Sequence, residues 1–197
     1  MTPTPLLLAL CGAGEGGSWP WPSRTEAGRA VVGAALFELA LARRLELGDD
    51  RVVPCEGGPT GDAVQDGVLR GVGAAGRARP PWEWVESLGP AALRQVEEEC
   101  ARAAALGTLG ERMSEARARV RHAAERPDAT DASALAVAVL LIAARQGHLV
   151  RPAVLPAARA LALLERGAPR SGQALRRASA AVQRSIAVSA AALAFPG

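Results

Sequence analysis

The sequence predicts a mainly α protein: a compact single-domain helical bundle around a buried apolar helix, with one small β-hairpin. Three observations carry that expectation. Ala134 to Ala144 is apolar all round, the pattern of a helix that sits centrally in a core. Leu36, Phe37, Leu39, Ala40 and Leu41 recur at the spacing of one continuous buried helix face. Leu45-Glu46-Leu47 and Arg51-Val52-Val53 flank Gly48-Asp49-Asp50, two short strand-like runs around a turn. The length of 197 residues suits one good core, taken here as a single domain over 1–197, and 49% apolar residues argue against disorder.

In chain order, Leu6 to Leu10 is a short apolar run that fits a buried strand or a first helical turn. Ser23-Arg24-Thr25-Glu26 is a capping box that starts a long helix reaching about Arg44, with Gly28 and Gly33 marking close helix packing. After the hairpin, Thr60 is placed to cap a helix from about Gly61 to Gly73. A basic linker, Gly76 to Pro81, leads to a short helix over Trp82–Leu88, and Pro90 opens another that ends near Gly107. Residues 111–126 form a charged, solvated helix. Asp128 or Thr130 caps the apolar helix, and Gly147 ends it. Pro156 to Arg166 gives a shorter helix. The last runs from about Gly172 to Ala194, with Leu175, Ala178, Val182, Ile186, Ser189 and Leu193 on one stripe.

Composition narrows the function classes. Aromatic residues are 3% with no Tyr, so Ala, Leu and Val build the core. All 23 basic residues are Arg, which with the Ala, Gly and Pro content reads as the coding bias of a GC-rich bacterial genome. Arginine favours forked contacts to phosphate and carboxylate. A net charge of +3 does not by itself imply nucleic acid. Cys11, Cys55 and Cys100 have no metal spacing and read as small buried residues in a reducing compartment. The segment Met1 to Cys11 has no basic start and reads as no signal peptide. The longest apolar run is far short of the roughly 20 residues that a membrane span needs.

No catalytic constellation stands out. Gly12 to Gly17 matches GxGxxG, but Pro20 and Pro22 forbid the helix that would have to follow it, so it reads as a loop. Asp62 and Asp66 share a helix start, where carboxylates serve the dipole. His122 lies in the charged helix, and His148 lies beyond a helix end, where it would interact with the dipole. No metal or cofactor is expected.

Taken together, Leu6–Leu10, Leu36–Leu41, Arg44-Leu45-Glu46-Leu47 and Pro59-Thr60-Gly61-Asp62 with Asp66 and Leu69 resemble the Golgi phosphoprotein 3 family. Weaker echoes are Trp84-Val85, Leu93 to Val96 and the apolar helix. The resemblance covers nearly the whole chain in order. It implies a mainly helical, non-enzymatic domain that sits peripherally on membranes. Eukaryotic members bind phosphatidylinositol 4-phosphate and act as adaptors retaining glycosyltransferases. The lipid site implied is an aromatic residue in the loop before the first long helix, an Arg on that helix, and two Arg one turn apart on a later helix.

Carried over, that pattern assigns Trp19 or Trp21 to the aromatic place and Arg94 to one of the later pair. The first-helix position falls at about Val32, where Arg29 or Arg24 stands in. The partner of Arg94 is Glu97, a carboxylate that would repel an anion and pair with Arg94. The arginine cluster is therefore incomplete, a departure from the family pattern that bears against specific phosphoinositide recognition. The family's hairpin before the charged helix has almost no room here.

The expected function is a peripheral, membrane-associated adaptor that binds phosphatidylinositol 4-phosphate or another anionic phospholipid head group through Trp19, Trp21, Arg24, Arg29 and Arg94. Its partners would be a membrane surface and a protein that the sequence leaves unidentified. Its location would be cytoplasmic, with the membrane-bound form on the inner face. One alternative is a winged-helix-like nucleic-acid binder, in which the hairpin is a wing beside Arg43, Arg44 and Arg51. Against it, no helix carries a basic stripe with base-reading side chains. Another is a structural partner-binding protein without ligand recognition.

Overall fold

The computed structural model of the chain describes residues 3–14, 18–19, 24–126, 131–150 and 157–194, leaving aside the side chains of 148, 150, 157–160 and 192–194. Within them lie eight α-helices and one two-stranded sheet. The order is α1 (Thr4–Gly12), α2 (Arg24–Leu41), β1 (Leu45–Leu47), β2 (Val52–Pro54), α3 (Ala63–Ala74), α4 (Pro81–Ala105), α5 (Leu109–Glu125), α6 (Ala132–Ala143), α7 (Ala157–Gly167) and α8 (Pro169–Ala194). A short 3-10 turn, Gly147–Val150, follows α6.

The apolar helix α6 is buried as its sequence demands, with Ala134 to Leu141 all inside. It shares the centre with α2, whose residues from Ala27 to Phe37 are all buried and which packs on α1, α4, α6 and α8. Gly28 and Gly33 let that crowding happen. A Cβ on Gly28 would stand 2.6 Å from the Gly89 carbonyl of α4, and one on Gly33 would meet Val182 of α8 at 2.7 Å.

The hairpin forms as expected. It is antiparallel, pairs Leu45 with Pro54 and Leu47 with Val52, and buries Leu45, Leu47 and Val52. The linker after α3 is folded onto the protein. Its Arg79 carbonyl accepts the Val52 N–H at 3.0 Å, and the Arg79 guanidinium lies 5.1 Å from the Trp84 ring centroid.

Of four local expectations, the first is resolved in favour of its helical alternative and three are corrected. Leu6 to Leu10 is helical, inside α1, because Pro5 can sit in a first turn where its missing N–H costs nothing. Trp82–Leu88 and the helix after Pro90 are one continuous α4 with Pro90 in its interior. The helix tolerates losing one N–H where burial of Trp84, Val85, Leu93, Val96 and Cys100 holds both halves down. Asp62, not Thr60, caps α3, accepting the Gln65 N–H at 2.8 Å. Thr60 instead gives its N–H and hydroxyl to Asp66, at 2.6 and 2.8 Å. These contacts, the backbone one foremost, hold the Asp66 carboxyl below its ordinary range.

The fourth concerns the end of α6. Gly147 does not stop it; Arg145 adopts the left-handed conformation two residues earlier, at φ +61°. The Gln146 N–H then reaches back to the Leu141 carbonyl at 2.7 Å. Arg43 does the same after α2, at φ +56°, so that helix ends at Leu41 and not at Arg44. Of the elements starting at Ser23 and capped by Asp128 or Thr130, those three residues lie outside the described ones.

Two carboxylates tie distant elements together. Glu38 on α2 accepts the Thr4 N–H at 2.7 Å and the Gln65 amide at 2.6 Å, joining the starts of α1 and α3. Its burial pushes the carboxyl up, and the Thr4 hydrogen bonds offset only part of that. Asp131 caps α6 through the Ala134 N–H at 3.0 Å and also takes a fork from Arg119 of α5. The Arg119 hydrogen bonds hold the Asp131 carboxyl below its ordinary range.

Asp131→Ala is therefore expected to lower unfolding free energy at pH 7 by about 2 kcal/mol, from the cap and a partly exposed ion pair. A carboxyl lowered in the folded state stabilises above its unfolded pKa, and that contribution vanishes as pH falls through the folded value. The difference between variant and parent should thus shrink below about pH 4. Urea unfolding at a series of pH values checks both the size and the direction.

Candidate anionic head-group site

Three of the five expected site residues meet. Arg24, at the first residue of α2, Arg29 further along it, and Arg94 on α4 line one pocket of about 300 Å³. Its floor is Gly89, Pro90 and Leu93, the stretch where α4 crosses α2 at the Gly28–Gly89 contact. The close backbone approach brings arginines from both helices to one opening. Val32, where the implied pattern would put an arginine, is fully buried in the core, so Arg24 and Arg29 supply the α2 guanidiniums of the pocket.

The three arginines are in different electrostatic states. Arg24 forks onto Glu97 of α4, with Nη2 donating to Oε2 at 2.6 Å and Nη1 donating to Oε1. The Trp19 N–H donates to the same Oε1 at 3.1 Å. Glu97 therefore pairs with Arg24 and not with Arg94, as expected from its spacing in the helix. A carboxylate gains more from a planar two-point fork and a backbone N–H than from a neighbour on its own helix. Arg29 is 6% exposed, stands 3.6 Å from Glu86 and donates to the Ser189 hydroxyl of α8. That hydroxyl in turn donates to Glu86 at 2.9 Å. Arg94 is exposed and has no ion pair among the described residues.

Trp19 is not an interfacial aromatic. It is 4% exposed, and its ring lies on Gly12 so tightly that a Cβ there would stand 1.9 Å from the ring. Gly12, the first glycine of the motif, thus serves as a seat for an indole. Arg117 of α5 fixes the chain on either side of that seat, donating to the Cys11 carbonyl at 3.1 Å and the Ala13 carbonyl at 2.9 Å. Trp21 lies outside the described residues.

Glu86 and Ser189 escaped the sequence reading. Ser189 did carry a signal, as a hydroxyl on the otherwise apolar stripe of α8. Glu86 carried none, since its exposed position on α4 looks like any solvated carboxylate.

The remaining polar groups are structural. Asp62 and Asp66 are spent on backbone N–H groups of the Thr60–Gln65 turn. Burial pushes the Cys11 thiol up to about 12 and raises that of Cys100 as well. His122 lies on the last turn of α5, and the side chain of His148 is outside the described ones. Among the described residues no cluster of three or more His, Cys, Asp and Glu is arranged to hold a metal ion. No helix among them is long and apolar enough to cross a membrane.

The arginines beside the hairpin do not form one basic face. Arg43 and Arg51 line a groove of about 990 Å³ together with Glu46, Asp49 and Asp50. Arg177 in the same groove is held by Asp49 at 3.0 Å and by the Leu47 carbonyl at 2.7 Å. Arg44 instead lines a separate pocket with Pro54, Pro59 and Arg70. Between α4 and α5 the turn is only Leu106–Thr108, which leaves no room for a hairpin, and Leu106 is 77% exposed there.

A family model described as Golgi phosphoprotein 3 (GPP34) matches residues 4–188. No curated protein matches the chain.

Proposed function

The chain belongs to the Golgi phosphoprotein 3 family, and on that footing we propose that it is a non-enzymatic, peripheral membrane adaptor. In this reading the α2–α4 pocket receives the phosphate of an anionic phospholipid on the cytoplasmic face of a membrane, while the rest of the surface engages a protein partner. The observation that carries the reading is the convergence of Arg24, Arg29 and Arg94 on one pocket. Guanidiniums in a shallow recess suit phosphate oxygens, which take forked hydrogen bonds. The three unpaired thiols accord with a reducing compartment. The mixed charge of the hairpin groove supports lipid over nucleic acid, because a phosphate backbone needs a continuous positive track.

Sedimentation with anionic vesicles at low salt tests the reading. Binding is expected, with Arg94→Ala weakening it about tenfold, the scale of one charge-assisted contact, while the unfolding midpoint stays unchanged. No binding to any anionic vesicle would overturn the lipid reading and favour a partner-binding protein without a ligand.

A further inference from the structure

The electrostatic state of the pocket goes further than its location. Three guanidiniums surround it, but Glu97 forks onto Arg24 and Glu86 stands beside Arg29. Three positive and two negative charges leave one net positive charge. Of these three guanidiniums, Arg94 is the one with no ion pair among the described residues.

We propose that Glu97 and Glu86 are specificity-determining residues that make this pocket a receptor for a singly charged phosphodiester head group and turn away a phosphomonoester. The inference rests on the lipid reading above and names the class of lipid within it. A phosphodiester carries one negative charge, which the single uncompensated arginine matches. A phosphomonoester carries about 1.5 to 2 charges at neutral pH. Bringing it in would leave the site net negative, or would require Glu97 to surrender its fork. Surrendering the fork also releases the Trp19 N–H from the same carboxylate oxygen, so the cost reaches the loop that covers Gly12. Glu86 acts from the other side. It holds Arg29 together with Ser189, so that Arg29 is turned toward α8 as well as the pocket. Discrimination of this kind works by placing a repelling charge against the wrong ligand.

The test compares vesicles of phosphatidylcholine doped with phosphatidylinositol or with phosphatidylinositol 4-phosphate, adjusted to equal surface charge. The two dopants differ only in the monoester. The parent protein is expected to bind the phosphatidylinositol vesicles at least as tightly. Glu97→Gln keeps an oxygen for the Trp19 N–H and removes the charge. It should move the affinity ratio toward the 4-phosphate by about tenfold, the scale of a close charge pair. Glu86→Gln leaves the Trp19 anchor untouched and should move the ratio the same way, which guards against a folding defect in the first variant. A parent that prefers the 4-phosphate, or a ratio that neither substitution moves, overturns the role of the two carboxylates and leaves the lipid reading standing. Absence of binding to both vesicles by the parent and both variants overturns the lipid reading itself.

Discussion

Gly28→Val is expected to lower unfolding free energy by about 3 kcal/mol, the upper end of the overpacking range, and to abolish vesicle binding in whatever fraction stays folded. The first Cβ atom already stands 2.6 Å from the Gly89 carbonyl oxygen and 2.9 Å from its carbon. The obstacle is backbone, so no side-chain rotation relieves it, and α2 and α4 must separate. Those helices make the most extensive interface in the fold. Any gain from replacing a helical glycine is worth less than about 1 kcal/mol and does not offset the separation. The same movement pulls Arg29 away from Gly89, Pro90 and Arg94, which are the walls of the pocket. Urea unfolding and vesicle sedimentation on one preparation check both effects. A variant as stable as the parent would mean that the two helices do not cross as closely as described.

Trp19→Ala should cost about 3 to 5 kcal/mol, the range for truncating a large buried aromatic. The indole is 4% exposed and rests directly on Gly12, a residue with no side chain to fill the space left behind. A tryptophan that served as a membrane contact would behave in the opposite way. Its removal would weaken vesicle binding and leave stability within about 0.5 kcal/mol, as for ordinary surface positions. Thermal and urea unfolding followed by circular dichroism separate the two cases.

The elements with a strong period were legible. The apolar all-round pattern of α6 and the alternation of the hairpin are local, and local patterns survive folding, whereas α2 is buried all round from Ala27 to Phe37 and leaves Leu41, expected on its buried face, exposed. Pro90 misled because a proline reads as a boundary from sequence, whereas its cost of about 3 kcal/mol is bearable inside a well-buried helix. The apolar run in α1 was too short to separate strand from helix by period. In the site, three of the arginines singled out in the sequence line one pocket between two helices. Their partners were not legible. Glu97 chose Arg24 across the loop because fork geometry outweighs proximity in sequence. The burial of Trp19 is not legible, because nothing in the residues around it announces that Gly12 offers its ring a seat.

The position of α1 bears on how the chain reaches this state. Helix α1 is walled in by α2, α4, α5 and α6, and its last carbonyls wait for Arg117. During synthesis it must remain uncovered until α5 and α6, far downstream in the chain, have emerged. Contacts so distant in sequence slow folding, because loop closure is unfavourable before any burial compensates. The apolar surface of Leu7, Leu8 and Leu10 is then the part of the nascent chain most in need of protection from association with other chains.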